Sequence, residues 1–562
     1  MTEHFDTVVV GSGFGGSVVA ARLAEGGQRV CVLERGRAFP PGSFPRTQHG
    51  LAQNTWDPSE GRFGMFNVWS FSGIEAVVSA GLGGGSLIYA NVLLRKPPEW
   101  FAEDHAGARE PWPVTYDDLE PHYERAEARL NAQRFPFDKA PYSDAHKTAA
   151  LKEAAETLGY DWELPPLAVT FANAGEEPVP GVPIHEARPN IHALREGRPH
   201  TRTTCRLCGE CDVGCNYGSK NTLDFSYLSD AAHAGADIRT LSEVRTFRRR
   251  PGGGWRVQYV RHEIPDDEGE PSERAPRTVT ADRLVLGAGT LGTTFLLLKN
   301  RPALGGISRQ LGKRFCGNGD LLSFAMKCGE GDPRETRDLG PTYGPVITST
   351  VRVPDALDGN GAGRGYYVQD AGFPAFVTWL LEASDVKGTG RRLVRAAVRR
   401  IRARLGRDPR SDITEELADA LGECDLSRGS LPLLGMGRDV PDGTFTLDGD
   451  DHLACDWSID SSKPFFDSVL GTMREISDAW GGKFVPNPTY RLSRVVTVHP
   501  LGGCSMGRSA EEGVTDPWGQ VYGCPDLWVA DGSVMPGPTG PNPALTIAAL
   551  ADRTADRILD TA

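Results

Sequence analysis

The opening 34 residues constrain this chain more than any other stretch. Asp6-Thr7-Val8-Val9-Val10 is a β-branched run of the kind that forms a buried parallel strand. Gly11-Ser12-Gly13-Phe14-Gly15-Gly16 follows at once. Ser17 to Glu25 then reads as a helix, and Arg29 to Leu33 as a second strand ending at Glu34. This strand–turn–helix–strand order is the context a G-x-G-x-x-G turn needs to bind a dinucleotide. Gly11 permits the tight turn, Gly13 lets a pyrophosphate approach the backbone, and Gly16 lets helix pack on strand. The helix N-terminus, with Phe14 and Gly15, supplies N–H donors and positive potential for the phosphates. Glu34 stands where a carboxylate accepts from a ribose 2′-hydroxyl, which favours an unphosphorylated adenosine ribose.

Later segments choose between dinucleotides. Ala80-Gly-Leu-Gly-Gly-Gly-Ser86 is a second glycine cluster (Gly83, Gly84, Gly85, Ser86). Thr278 to Thr290 reads as a strand entering a turn at Gly287-Ala288-Gly289. Asp526 to Ser533 reads as a strand ending in Asp531 and Gly532, and Thr539-Gly-Pro-Asn542-Pro543 opens a last helix. Several separated segments converging on one long ligand suit FAD better than NAD. The chain has 562 residues, which implies more than one structural unit.

Gly11–Gly16, Gly83–Asn91 (GGGSLIYAN), Val498-His-Pro-Leu-Gly-Gly503 and Gly540-Pro-Asn-Pro543 are the motifs through which nearly the whole chain resembles the glucose–methanol–choline oxidoreductases, in their cholesterol-oxidase-like branch. The resemblance implies an α/β fold in which a Rossmann-type FAD-binding domain is interleaved with a substrate domain built on an antiparallel sheet. The expected FAD-binding parts are 1–110, 200–318 and 490–562. The expected substrate-binding parts are 111–199 and 319–489, with a helical insertion at about 385–422. By the same resemblance His499 falls on the active-site histidine and Asn542 on its partner. Asn91 and Gly85 fall beside the flavin ring, Asp531 and Gly532 at the ribityl chain and phosphate, and Glu243 and Val244 near the adenine. The chemistry agrees: oxidising an alcohol needs a proton taken from oxygen and a hydride taken from carbon. A histidine can take or steer the proton near neutral pH. An amide beside it can orient the substrate oxygen without adding charge.

One position departs from the family. Cholesterol-oxidase-type enzymes also isomerise a steroid double bond with a glutamate base, and alignment of Tyr367 to Pro374 sets Gln369 at that point. An amide cannot abstract a proton, and Asp370, next along a strand, faces the other way. Built-in isomerase activity is therefore expected to be lost or weak.

Cys205-x-x-Cys208-x-x-Cys211-x-x-x-Cys215 gathers four of the eleven cysteines in one short arc. Zinc sites usually separate two Cys-x-x-Cys knuckles by a loop, whereas an iron–sulfur cluster offers several corners to a single arc. Asn216 replaces the proline that follows the last cysteine in bacterial ferredoxins, and either a four-iron or a three-iron cluster suits the run. The alternatives are zinc, or thiols that simply pack in a tight loop or form disulfides on isolation. Some bacterial glucose dehydrogenases of the same superfamily carry a three-iron cluster just before a segment similar to Gly218–Leu223. A one-electron centre near the flavin favours passage of electrons to an external acceptor over direct use of oxygen.

Lys and Arg number 61 against 74 Asp and Glu, a net charge of −13 that argues against nucleic-acid binding. With no signal peptide and no apolar run of the roughly 20 residues that span a bilayer, a cytoplasmic protein is expected. Residues 45–80 carry Phe44, Trp56, Phe63, Phe66, Trp69 and Phe71 within or beside them, and read as a long packed loop or as a lid. Residues 320–382 and 431–460 are strand-like and aromatic, suited to an apolar pocket wall; Phe376 and Trp379 belong to them. Between these, Gly390–Gly406 reads as a helix whose arginines, Arg391 to Arg404, suit solvent, an anionic membrane or an acidic electron carrier. Residues 262–276 read as a hairpin tip. The function expected is FAD-dependent oxidation of a hydroxyl on a mainly apolar, ring-containing alcohol, sterol-like or natural-product. A redox-neutral flavin isomerase or lyase and an oxygen-using alcohol oxidase are the alternatives.

Overall fold

The computed structural model describes residues 2–105, 108–264, 272–273, 275–329, 336–375 and 425–561. The helical insertion expected at 385–422, with its arginines 391–404, and the aromatic residues Phe376 and Trp379 lie outside them.

Two large sheets organise the described residues. The first is built on Glu3–Val10, which pairs in parallel with Val30–Leu33 on one side and with Arg277–Leu286 on the other. Asp237–Arg239 extends it beyond Val30–Leu33, and Leu527–Val529 pairs with the end of Arg277–Leu286, both in parallel. Trp255–Glu263 and Ser242–Arg249 complete it as an antiparallel edge. Val8, Val9, Val30, Cys31 and Val32 are at most 1% exposed, as strands covered on both faces require. Burying each such aliphatic side chain contributes roughly 1.5–3 kcal/mol. The helices Phe14–Glu25 and Ala544–Asp560 pack against each other over this sheet.

The second sheet is antiparallel throughout and has six strands. Their order is Asp161–Glu163, Thr350–Val353, Tyr366–Asp370, Leu431–Gly437, Leu321–Met326 and Lys483–Pro486. Lys463–Ala479 packs on one face, burying Phe465, Phe466, Val469, Met473 and Ile476 at helical spacing. Residues 111–199 do not go as a whole with this sheet. Asp161–Glu163 joins it, but the helix Tyr116–Arg129 packs on Ala544–Asp560, because Arg125 pairs with Asp552 and Asp556 there.

Residues 45–80 are not a long loop. Phe66–Ser70 and Ile74–Ser79 form a hairpin, and Val495–Thr497 adds in parallel to make a small third sheet. The two strands that flank 262–276 pair antiparallel with each other. No helix among the described residues is long and apolar enough to cross a membrane.

Candidate active site

A cavity of 640 Å³ lies between the two large sheets. It is lined by Gly11, Gly13, Phe14, Gly15 and Glu34 from the first strand–turn–helix–strand unit, with Val244 from the antiparallel edge. Gly84, Gly85, Ala288, Gly289, Asp531, Gly532, Asn542 and Pro543 also line it, as does His499. The six-stranded sheet contributes Leu322, Phe324, Pro432 and Leu434, and the hairpin contributes Phe66 and Trp69. The walls are thus largely apolar away from the turn.

Four expected residues stand behind the wall rather than in it. Gly16 lets the helix meet the strand: a Cβ there would fall 2.1 Å from the Gly11 carbonyl oxygen. Gly83 turns with φ +106°, and Ser86 fastens that turn by donating to the Gly83 carbonyl (2.8 Å) and accepting from Leu223 N–H (3.1 Å). Asn91 is fully buried at φ +72°, with neither amide atom hydrogen-bonded among the described residues.

His499 and Asn542 are held by groups that the motifs do not contain. The His499 Nδ1 atom lies 2.7 Å from Asp320 Oδ1. Asp320 Oδ2 accepts from Thr497 Oγ1 (2.9 Å), Val498 N–H (2.8 Å) and His499 N–H (3.1 Å). Two residues earlier, Asn318 Oδ1 accepts from Thr539 and Gly540 N–H, and its Nδ2 donates to the Pro541 carbonyl. The short segment 317–320 therefore ties down both loops, the one bearing His499 and the one bearing Asn542. Asn542 Oδ1 accepts from Gln369 Nε2 at 3.0 Å, which leaves its Nδ2 without a partner in the cavity wall. Asp370 is turned away, accepting from the backbone N–H groups and hydroxyls of Thr348 and Ser349.

Comparison with known proteins accords with this geometry. Residues 471–551, which carry His499 and Asn542, match the GMC oxidoreductase family model, and residues 9–47 match an NAD(P)-binding Rossmann-like domain. The chain is 33% identical to a cholesterol oxidase of Mycobacterium tuberculosis, over 99% of this chain and 91% of that protein. The chain belongs to the GMC oxidoreductase family, in its cholesterol-oxidase-like branch. It is an FAD-dependent alcohol oxidoreductase. It is also 26% identical to a cholesterol oxidase of Acinetobacter baumannii, over 98% of this chain and 93% of that one. To a long-chain-alcohol oxidase of Arabidopsis thaliana it is 23% identical, over 99% of this chain and 66% of that one.

The cavity of this GMC oxidoreductase fits FAD. A Cβ at Gly13 would meet no protein atom within 4 Å, so the backbone there is open to a ligand. Two helices, Phe14–Glu25 and Gly289–Leu304, begin at the wall and aim N–H groups into it. Glu34 accepts from Ser12 N–H (2.9 Å), Ser12 Oγ (2.6 Å) and Gly36 N–H (2.8 Å). A carboxylate has about four acceptor positions, so one remains for a ribose hydroxyl. Asp531, pushed up by burial, is held by Ser533 and Thr293. Glu243, which lines the cavity beside Val244, meets His262 Nε2 at 2.7 Å and Arg245 at 3.3 Å.

Cys205, Cys208, Cys211 and Cys215 are free thiols around one small second cavity. Among the described residues, no three of the sulfurs lie within 4.8 Å of one another. The Leu207 N–H donates to Cys205 Sγ at 3.5 Å. Burial pushes the thiols of Cys205, Cys208 and Cys211 up. Asp212, next to Cys211, and Val346, next to Pro345, line the larger cavity, so chain neighbours border the two. Burial raises the Asp212 carboxyl to about 6 and lowers the Lys220 ammonium to about 8.

The motifs led to His499, Asn542 and the glycine turns. They did not lead to Asp320 or Asn318. The available signal was Gly317-Asn318-Gly319-Asp320 ahead of a strand, a turn-rich run that ends in a carboxylate.

Proposed function

We propose that this enzyme oxidises a hydroxyl of a mainly apolar, ring-containing alcohol, sterol-like or natural-product, to a carbonyl, with His499 taking the hydroxyl proton and Asn542 holding the oxygen. The observation that carries the reading is that one cavity is lined by the Gly11–Gly15 turn, by His499 and Asn542, and by apolar residues of the six-stranded sheet. Bound FAD supplies the hydride acceptor. The chain's own part is to seat the alcohol carbon against that acceptor, receive the proton at the imidazole Nε2, and donate an amide N–H to the substrate oxygen. Each of the last two contributes rate only if it is aligned in the transition state, by about 10²–10⁴-fold for the proton transfer. The names of the relatives, cholesterol oxidase and long-chain-alcohol oxidase, support an apolar alcohol. We assign the strand-pairing unit around Glu3–Val10 to FAD and the six-stranded sheet to the substrate.

We further propose that Cys205, Cys208, Cys211 and Cys215 hold an iron–sulfur cluster. Four thiols from one short arc, ringed about one cavity and spaced too widely for one tetrahedral ion, support this choice over zinc. A cluster there would supply a one-electron route to an external acceptor. Direct reoxidation by oxygen is the second reading, favoured by the word oxidase in the relatives' names.

Anaerobic mixing with candidate sterols, terpenoid alcohols and long-chain alcohols tests the function. A substrate bleaches the oxidised-flavin absorbance, and the reduced enzyme recovers with an added one-electron acceptor or with oxygen. Turnover of a substrate without any bleaching would instead assign redox-neutral chemistry. The faster of the two reoxidants separates dehydrogenase from oxidase.

A further inference from the structure

We propose that Asp320 is a positioning residue that presets His499 as a proton acceptor, fixing the imidazole hydrogen on Nδ1 so that bare Nε2 faces the cavity. The proposal rests on the reading of His499 as the group that takes the hydroxyl proton.

The argument starts from burial. The Asp320 side chain is 2% exposed, and a carboxylate accepts hydrogen bonds without donating any. Its Oδ1 lies 2.7 Å from His499 Nδ1, so that nitrogen must carry the hydrogen. The other ring nitrogen, Nε2, has no hydrogen-bond partner among the described residues, and His499 lines the cavity. Three further hydrogen bonds, from Thr497 Oγ1, Val498 N–H and His499 N–H, converge on Oδ2. The carboxylate thus holds the ring and the backbone that carries it as one unit, and the ring cannot turn over without breaking that set. When the alcohol reacts, its O–H bond breaks and the proton moves to Nε2. The carbon–hydrogen electrons leave as hydride to the flavin, and the C=O bond forms. The imidazole is then a cation beside a buried anion that is already in place, so no charge has to be brought up at that moment.

The test compares Asp320→Asn, Asp320→Glu and His499→Gln in flavin-loaded enzyme, with an alcohol that bleaches the wild-type flavin. In Asp320→Asn the side-chain oxygen can still accept from Val498 and His499 N–H, while its NH2 faces Nδ1 and drives the hydrogen to Nε2. The flavin content and KM for the alcohol then stay within about threefold of wild type. The rate constant for flavin reduction at saturating alcohol falls about 10³–10⁴-fold. An Nε2–H also favours the ketone product over the alcohol, so competition by ketone strengthens relative to alcohol by about fivefold. Asp320→Glu keeps an acceptor and recovers at least about tenfold of the lost rate, with the wild-type ketone preference. A rate for Asp320→Asn within threefold of wild type overturns the proposal, as does a rate loss matched by equal losses of flavin, alcohol and ketone binding. Should Asp320→Asn not retain flavin, Asp320→Glu decides: a flavin-loaded Glu variant with the ketone preference inverted overturns it. If His499→Gln reduces flavin as fast as wild type, the reading of His499 fails. If His499→Gln is slow and Asp320→Asn is not, only the role of Asp320 fails.

Discussion

The side-chain amide of Gln369 donates from Nε2 to Asn542 Oδ1 at 3.0 Å, from the six-stranded sheet to the loop that enters the last helix. Gln369 is fully buried and lies behind the cavity wall, so it reaches the cavity through Asn542. By occupying the carboxamide oxygen it turns the NH2 toward the cavity as a donor.

Gln369→Glu reverses that orientation. A carboxylate accepts the Asn542 N–H and leaves Oδ1 facing the substrate oxygen, two acceptors in opposition. Flavin reduction at saturating alcohol is expected to fall about 10²–10³-fold, the usual cost of losing one aimed donor. Flavin content should not change. With a sterol whose double bond lies β,γ to the new carbonyl, the wild-type product keeps its double bond in place. Asp370 cannot serve as the base, because its oxygens already accept from Thr348 and Ser349. Product isomerised faster than in buffer alone contradicts this.

Two glycines of the first turn separate ligand space from protein space. A Cβ at Gly15 would fall 1.3 Å from the Ala530 carbonyl oxygen, backbone that cannot yield without moving the strand end that carries Asp531. Gly15→Ala should give no soluble, flavin-loaded protein. At Gly13 the φ is −71° and no protein atom lies within 4 Å of the added carbon. Gly13→Ala should therefore fold, with apoprotein melting unchanged, and bind FAD weaker by about 100-fold or more, about 2.7 kcal/mol. Thermal melting and flavin titration of the apoprotein distinguish the two.

How far each part was legible follows from how local its cause is. The first turn could be read because its strand, glycines, helix and acid are consecutive, and each has a steric reason to be there. His499 and Asn542 could be read through motifs flanked by glycine and proline. Asp320 acts across 179 positions and Gln369 across 173, and no local pattern announces such a partner. The hairpin Phe66–Ser70/Ile74–Ser79 was hidden for a related reason. Its aromatic content suits a packed loop equally well, and Val495–Thr497, which completes the sheet, is more than 400 residues away. The resemblance sets 111–199 with the substrate unit as one block, and nothing local to Tyr116–Arg129 signals that Asp552, 427 positions on, pairs with its Arg125.

Asp552 makes stability acid-sensitive. It is 1% exposed on the last helix and meets Arg22, Arg125 and His122 Nδ1 (2.7 Å). Burial alone would raise its carboxyl, but the His122 hydrogen bond and the Arg22 and Arg125 guanidinium groups outweigh it and hold the group down to about 2, from 3.8. A depressed carboxyl stabilises the folded state above its unfolded value and loses that contribution as pH falls through the folded one. About 2 kcal/mol should therefore disappear between about pH 4 and pH 2. Asp552→Asn removes this contribution at every pH. Urea midpoints of wild type and variant should differ most at neutral pH and converge below pH 4. A gap that stays constant down to pH 2 would falsify the assignment.

The cysteine arc makes a prediction about metal content that is independent of turnover. A single zinc ion with Zn–S bonds of about 2.3 Å draws its sulfurs to about 3.8 Å of one another. No three of Cys205, Cys208, Cys211 and Cys215 lie even within 4.8 Å. The ring suits a body with several metal corners. Protein purified without oxygen should be brown, with three or four iron atoms and matching acid-labile sulfide per flavin, even from zinc-supplemented cultures. Cys211→Ser should lose iron and keep flavin, whereas Cys31→Ser, in the middle of the parallel sheet, should keep both. Cys211 lines the small cavity and its chain neighbour Asp212 lines the flavin cavity, so the two sites adjoin along the chain. Substrate added without oxygen should therefore change the cluster's electron paramagnetic resonance signal as well as the flavin spectrum, and in Cys211→Ser the flavin spectrum alone. A full complement of flavin with no iron would leave these thiols as packing, and oxygen as the destination of the electrons.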